Sequence, residues 1–159
     1  RSADQASVNT LSPWYNASEG TMFAEFSSFG TPTSFPTVWQ LDDGTTQNNL
    51  IGYVFTNVLG MAQKTLNVPQ GDLNTAGPAI NAANTTKMGY AYATNDSALS
   101  GNGSALTGLA IDNTISIPTV TTLRLGGKPL GAQAVNGYLR RVSYYPRRLS
   151  NAELQALTT

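Results

Sequence analysis

The chain has 159 residues, enough for one domain with a single core, and it contains neither cysteine nor histidine. These absences exclude disulfides, thiolate chemistry, the Ser-His-Asp class of mechanism and most zinc sites. Nine basic residues balance nine acidic ones and only 11% of residues are charged. The sequence therefore has no basic footprint for nucleic acid, and no run of 18 apolar residues predicts insertion into a membrane.

Apolar residues recur at every second position between clusters of turn residues, which predicts strands. Met22, Ala24 and Phe26 share one face of the first strand, and Phe35 shares its parity with Trp39 in the second. The predicted strands cover residues 21–29, 35–41, 49–55, 58–68 (as one or two short strands), 85–94, 97–100, 104–107, 119–125 and 135–145.

The connections carry their own signals. Residues 69–84 are poor in aromatics and rich in Gly, Asn, Ala and Pro, which predicts a loop, with or without a short turn of helix. Asn102-Gly103 supplies the positive φ angles of a type I′ turn and predicts a hairpin between residues 97–100 and 104–107. In the last strand, strict alternation places Arg140 and Arg141 on opposite faces.

A short helix ends the chain. Ser150 is the predicted N-cap, and Glu153 completes a capping box. Leu154 and Leu157 then share a face that can pack on a sheet. A short helix that closes a many-stranded, glycine-rich chain favours a sandwich over alternating βα units.

The C-terminal segment carries a family resemblance. The strand from Gly137 to Tyr145, the turn after Pro146 and the Ser150-Asn-Ala-Glu153-Leu helix start resemble the closing elements of laminin-G-like, concanavalin A-like lectin domains. The order of the earlier strands is similar to the version found near the C-termini of phage and prophage tail fibres and tailspikes. The resemblance implies an all-β fold, a two-sheet antiparallel jelly-roll sandwich with a short C-terminal helix, as a single domain over residues 1–159. Because the sequence begins at Arg1 without Met, we expect a fragment of a longer chain.

Glycoside hydrolysis requires two carboxylates that flank a cleft. Glu25 stands alone on its predicted strand, and Glu19 precedes it at the wrong spacing. Asp42 and Asp43 are adjacent, so on a strand they would face opposite ways. We therefore expect that this chain is not an enzyme.

Exposed aromatic side chains that stack on sugar rings are the expected form of a binding site. Trp14 and Tyr15 follow Ser12-Pro13 in a loop-like stretch, which makes them the first candidates. A second candidate group consists of Asn48, Asn49 and Tyr53. The parity of three further aromatics with neighbouring apolar residues predicts core positions for Trp39, Tyr90 and Tyr92.

Calcium is possible as a cofactor, because laminin-G-like domains often bind it at a sandwich rim and Asp42, Asp43 and Asp96 lie in predicted turns, as does Asp112. Asp is equally typical of turns for local reasons. Six of the nine basic residues follow position 123, where Glu153 is the only acid. This segment fits an anionic partner, a contact with a neighbouring subunit, or an ordinary solvated surface.

We expect a non-catalytic module that binds carbohydrate or a host surface, in a phage-type tail fibre or tailspike. Its partners would be a cell-surface polysaccharide and other fibre subunits in a homotrimer, and its place would be the extracellular surface of the virion. The alternative is a structural domain that caps, decorates or oligomerises a fibre without a ligand of its own. A glycoside hydrolase ranks third.

Overall fold

The computed structural model describes residues 6–29, 34–76, 80–81, 83–106, 110–129 and 133–159. Within these ranges the chain forms eleven strands and one α-helix. The strands are β1 (Ala6–Val8), β2 (Glu19–Ser28), β3 (Thr37–Asp42), β4 (Asn49–Phe55), β5 (Val58–Thr65), β6 (Val68–Ala76), β7 (Thr86–Ala93), β8 (Asp96–Gly101), β9 (Ile111–Asp112), β10 (Thr122–Leu125) and β11 (Gly137–Tyr145), and the helix is α1 (Asn151–Thr158).

The strands form two facing sheets. One has six strands in the order β1-β10-β3-β4-β5-β6, and the other has five in the order β11-β2-β7-β8-β9. Within the described residues, every ladder between these strands is antiparallel. Trp39 and Leu50 from the first sheet and Phe26 and Tyr90 from the second are fully buried in one core. The predicted two-sheet antiparallel sandwich is confirmed.

The C-terminal helix packs on the outer face of the five-stranded sheet. Ser150 caps it as predicted: the Glu153 amide donates to Ser150 Oγ at 3.3 Å, and the Ser150 amide donates to Glu153 Oε2 at 2.8 Å. Leu154 is buried against Ala91 and Ala98. In the described part of the chain, no helix has the length and apolar character needed to cross a bilayer.

The predicted loop over residues 69–84 is wrong in its first half, which forms β6. This strand pairs with β5 and carries Leu73 into the core. The low aromatic content of this segment led to the wrong prediction. A strand at the end of a sheet pairs on one side only, so it can form with few aromatic residues. Leu66 and Asn67, both at positive φ, make the tight connection to β5. Residues 77–79 and 82 of the predicted loop lie outside the described residues.

The predicted hairpin at Asn102-Gly103 is wrong in its second strand. Both turn residues have positive φ, 47° and 71°, as expected. However, residues 104–106 are not a strand, and residue 107 lies outside the described part of the chain. Contacts with the helix hold this turn, because Gly103 donates its amide to Thr158 Oγ1 and accepts from Gln155 Nε2.

Two β-bulges break the alternation on which the side-chain directions were predicted. In β11 the register shifts between Leu139 and Arg141, so Leu139, Val142 and Tyr144 all pack against the core. Strict alternation would have put Leu139 on the face opposite Val142 and Tyr144, so it does not hold across this bulge. Arg140 and Arg141 are both exposed, and the strict alternation behind their predicted opposite faces does not hold.

The second bulge lies between Thr37 and Trp39, in the register of β3 with β4. Phe35 precedes it, so the parity that grouped Phe35 with Trp39 does not hold: Trp39 is fully buried, whereas Phe35 is 47% exposed. The predicted strand at residues 119–125 is narrower and begins at Thr122, and β1 and β9 were not predicted.

Candidate functional site

The outer face of the six-stranded sheet carries the candidate site. Along β4, Leu50 and Val54 point into the core, while Ile51, Tyr53 and Phe55 point outward and are half-buried. Antiparallel register extends this face sideways, because paired residues share a face. Ile51 pairs with Ala62, which pairs with Asp72 on β6.

Three rings cluster on this face. Phe35 stacks on Phe55 with ring centroids 4.5 Å apart and an interplanar angle of 16°. It meets Tyr53 edge-on, at 5.5 Å and 76°. The Tyr53 ring lies over Gly60, where a Cβ atom would overlap it. Tyr53 donates its hydroxyl to Asn74 Oδ1 at 3.2 Å, which fixes the direction of the ring.

A cavity of about 220 Å³ opens beside these rings, and we call it the aromatic pocket. It is lined by Phe35, Ile51, Tyr53, Ala62, Asp72, Lys128 and Gln133. Strands supply the floor, since Ile51 and Tyr53 come from β4 and Ala62 comes from β5. The segment before β3 and the segment between β10 and β11 supply the rim. The pocket therefore combines an apolar floor with polar groups at its edge.

Charge is unevenly placed around the aromatic pocket. Burial, and then the negative charge of Asp72, raise the pKa of Tyr53 above its ordinary value. Burial, and then the positive charge of Lys64, lower the pKa of Lys128. Lys64 lies two residues beyond Ala62 on β5, so it extends the same face of the sheet. The negative charge of Asp72 thus acts on Tyr53, and the positive charge of Lys64 acts on Lys128.

Trp14 and Tyr15 lie elsewhere, against β11. Trp14 meets Tyr144 edge-on at 5.1 Å, and Tyr15 lies 5.6 Å from the same ring. Both side chains are half-buried and pack against the core. Burial raises the pKa of Tyr15. Their expected exposure is therefore only partial, and their role in ligand binding stays a prediction.

Asn48 lies in the turn between β3 and β4, and Asn49 is the first residue of β4. Asn48 Nδ2 donates to Asp43 Oδ2 at 2.8 Å, and Asn48 Oδ1 accepts from the Leu66 amide at 2.8 Å. Asn49 is only 4% exposed and donates to the Thr46 carbonyl. Of this second candidate group, Tyr53 lies in the aromatic pocket. The side chains of the two asparagines form hydrogen bonds that stabilise the turn.

The candidate calcium ligands do not converge. Asp42 is fully buried and forms an ion pair with Arg124, and Asp96 forms one with Arg148 at 2.6 Å. Asp43 accepts from the amide and the hydroxyl of Thr45. Asp112 accepts from Thr114 in the same way. Among the described residues, no three acidic side chains come together in a way that could hold a metal ion, so these carboxylates do not fit a calcium site.

Several basic side chains of the C-terminal segment form contacts within the chain. Arg147 pairs with Glu153 at 2.9 Å. Arg141 lies over the Phe23 ring at 5.5 Å, within the range of a cation–π contact. These contacts favour an ordinary structural surface over a compact anion-binding patch.

The aromatic pocket contains residues that the sequence did not single out, namely Phe35, Asp72, Lys128 and Gln133. Phe35 was missed because the bulge in β3 was not predicted, and Asp72 was missed because strand β6 was not predicted. Pairing of β5 with a strand at residues 68–76 would have placed Asp72 beside Ala62. No local sequence signal identified Lys128 or Gln133, because both reach the site through a long connection.

Comparison with solved structures places this architecture among known folds, although no protein-family model and no curated protein matches the chain. The carbohydrate-binding module CBM40 of a Ruminococcus gnavus IT-sialidase, bound to α2,3 sialyllactose, superposes with a TM-score of 0.76 at 16% identity, covering 100% of both chains. The NanB sialidase of Streptococcus pneumoniae, as its K499G mutant, gives 0.72 at 10% identity, covering 100% of this chain and 28% of that one.

Domains LG4-5 of the mouse laminin α1 chain give a TM-score of 0.69 at 8% identity, covering 95% of this chain and 41% of that one. Identities this low establish a shared fold and leave function to the site itself. The chain therefore has the jelly-roll sandwich fold of concanavalin A-like and laminin-G-like domains.

Proposed function

We propose that this chain is a non-catalytic saccharide-binding module whose ligand lies in the aromatic pocket. The observation that carries the proposal is the half-exposed Phe35 ring, stacked on Phe55 and set against Tyr53 at the mouth of a cavity. Sugar rings present apolar C–H faces that pack on aromatic rings, and their hydroxyls require a few polar partners. Asp72 and Gln133 offer such partners at the rim.

The size of the pocket limits the ligand. At about 220 Å³, it is smaller than the roughly 300–1,000 Å³ typical of sites for drug-sized molecules. One sugar residue, terminal or side-branched, fits this volume better than a long stretch of polysaccharide. The proposed module therefore recognises the end or a branch of a glycan.

The polar groups support binding without hydrolysis. Hydrolysis requires two carboxyl groups roughly 5–9.5 Å apart. The described lining of the aromatic pocket includes a single carboxylate, that of Asp72. The similar Ruminococcus module is itself described as carbohydrate-binding and bound to sialyllactose, which supports a saccharide as the class of ligand.

We also propose a setting for the module. The order of its earlier strands, which is similar to the version found near the C-termini of phage and prophage tail fibres and tailspikes, supports a place in such a fibre, at the extracellular surface of the virion. There the module would bind polysaccharide of a bacterial host. Binding of the labelled protein to bacterial cells, and its loss after their surface polysaccharide is removed, would test this setting.

The saccharide proposal is tested on a glycan array followed by calorimetry. We expect Phe35→Ala and Tyr53→Ala each to weaken binding about tenfold, because each removes an aromatic contact surface. Phe29→Ala is the matched control, since Phe29 is 50% exposed but directly follows β2, a strand of the other sheet. If the folded protein bound no glycan, or if all three variants behaved alike, the proposal would be wrong.

One observation favours a second function, that of a structural domain in a fibre. Phe29 and Tyr138 form an exposed edge-on pair with ring centroids 4.8 Å apart, and Tyr138 lies on the edge strand β11. Aromatic residues are enriched in contacts between subunits relative to the rest of the protein surface. In this reading the pair would join copies of the chain in a homotrimer or would cap a fibre.

Light scattering separates the two functions. A trimer that dissociates in Tyr138→Ser, while Tyr53→Ala stays trimeric, would favour the structural role. A monomer at all concentrations, with glycan binding intact, would remove it.

A further inference from the structure

Two small residues on β5 shape the floor of the aromatic pocket. Gly60 and Ala62 lie two positions apart, so they share the outer face of the six-stranded sheet. On β4 they pair with larger residues, Gly60 with Tyr53 and Ala62 with Ile51. On β6, Asp72 pairs with Ala62. A trough therefore follows β5 between the larger side chains of its two neighbours.

Tyr53 fills one half of this trough. Its ring lies over Gly60, where a Cβ atom would overlap it, and Gly60 is buried. Ala62 is only half-buried and belongs to the lining of the pocket. The half of the trough that stays open is therefore the space above Ala62.

This open half has an apolar floor. Its side chains are the methyl group of Ala62 and the aliphatic chain of Ile51. Around Ala62, β5 is paired with β4 on one side and with β6 on the other, so its backbone groups are engaged in the two ladders. A ligand hydroxyl directed there would lose its hydrogen bonds to water, whereas a methyl group would be buried favourably.

The other parts of the pocket suit the remainder of a sugar ring. Phe35 and Tyr53 stand at 76° to one another and form a corner of two aromatic surfaces, on which C–H groups can pack. Asp72 and Gln133 are exposed members of the lining and can accept hydrogen bonds from hydroxyls. The described lining thus separates an apolar corner and floor from polar groups at the rim.

We propose that the aromatic pocket selects a 6-deoxyhexose, a sugar in which C6 is a methyl group instead of a hydroxymethyl group, and that this methyl group packs on Ala62 and Ile51. This inference rests on the proposed saccharide-binding function and adds the class of sugar. The methyl of an acetamido group fits less well, because the amide would bring an N–H and a carbonyl to the same apolar floor.

The test uses the intact chain and pairs of sugars that differ by one oxygen atom. The pairs are L-rhamnose against L-mannose, L-fucose against L-galactose, and 6-deoxy-D-glucose against D-glucose, all as 2-hydroxyethyl glycosides. Calorimetry should give tighter binding, by about tenfold or more, for at least one 6-deoxy member over its 6-hydroxy counterpart. In saturation-transfer NMR of that complex, the C6 methyl protons should receive the largest transfer from the protein.

Variants assign the selectivity to the floor. Ala62→Ser should remove most of the preference for the 6-deoxy member, because the new hydroxyl can bond to a 6-hydroxyl group. Ile51→Thr should weaken binding of the 6-deoxy member more than that of its counterpart. Ala6→Ser is the matched control, because Ala6 is exposed on β1, at the opposite edge of the same sheet. Thermal unfolding of each variant confirms that it is folded.

Three results would overturn the inference. The first is equal or tighter binding of the 6-hydroxy members, and the second is a preference that survives in both floor variants. The third is tighter binding of N-acetylglucosamine or N-acetylgalactosamine than of every 6-deoxy member, which would assign the floor to an acetamido group.

These failures are distinguishable from failure of the saccharide-binding function. If a sugar bound without a preference for the C6 methyl group but in a manner sensitive to Phe35→Ala, saccharide binding would stand and only the selectivity would fail. If the folded protein bound no glycan, both proposals would be wrong.

Discussion

Arg124 on β10 and Asp42 at the end of β3 form a two-contact ion pair on the outer face of the six-stranded sheet. Arg124 donates through Nε to Asp42 Oδ2 at 2.7 Å and through Nη2 to Oδ1 at 3.3 Å. The carboxylate also accepts from Gln40 Nε2 and from the Gly44 amide, and Asp42 is fully buried. The pair thus ties two neighbouring strands to the turn that precedes β4, which supplies the floor of the aromatic pocket.

Removal of the arginine should destabilise the fold strongly. In Arg124→Gln the buried carboxylate of Asp42 loses its compensating charge, and we expect a loss of about 3–5 kcal/mol in the free energy of unfolding. Urea denaturation measures this loss. The control is Arg140→Gln, which changes an exposed bulge residue and should cost less than about 0.5 kcal/mol. Equal losses in the two variants would contradict the role assigned to the pair.

Substitution by alanine should have different effects on stability and binding at two glycines that face opposite sides of the six-stranded sheet. A Cβ at Gly52 would overlap the buried Trp39 ring, whereas one at Gly60 would overlap Tyr53, which faces the pocket. Gly52→Ala should therefore lower stability by about 1–3 kcal/mol through overpacking. Gly60→Ala should cost less, because the Tyr53 ring can move outward, but it should weaken glycan binding. Denaturation and calorimetry on both variants check this, and the reverse pattern would show that the faces are misassigned.

The cap of the C-terminal helix should make stability depend on acid pH. Hydrogen bonds, first from Arg147 and then from the backbone and hydroxyl of Ser150, lower the pKa of Glu153 from its ordinary 4.5 to about 2. The stabilisation from this carboxylate is therefore full above pH 4.5 and is lost as the pH falls through about 2. The thermal midpoint of Glu153→Gln should fall less steeply over this window than that of the parent chain. Identical slopes would mean that the capping box carries no such linkage.

Alkaline pH should act through buried tyrosines. Burial raises the pKa of Tyr15, Tyr53, Tyr90 and Tyr92 above the ordinary 10.0. Above pH 10 the unfolded chain loses phenolic protons that the folded chain keeps, so stability is full below this pH and falls as the pH rises. Phenolate absorbance should therefore rise together with the loss of near-ultraviolet circular dichroism. A smooth ionisation of all seven tyrosines near pH 10, with the fold intact, would contradict this.

Much of the fold was predictable because its signals are local. Alternation placed β2, β4 and β7, and the Ser150 capping box placed the helix. The missed elements have weak local signals: β6 is poor in aromatics, and β9 has only two residues. Their pairing partners decide them, and those partners are distant in sequence.

The sequence by itself determined the all-β class, the closing helix and the core positions of Trp39, Tyr90 and Tyr92, because periodicity and capping act over a few residues. It also singled out Tyr53 as a site residue. Only the tertiary structure decided what surrounds Tyr53. Because of a bulge in β3, Phe35 does not share the buried face of Trp39. The register of β5 with β6 sets Asp72 beside Ala62, and the connection after β10 places Lys128 at the pocket. Register and bulges depend on how strands pair across the whole chain, so the pocket and its charges became visible only in the assembled sheet.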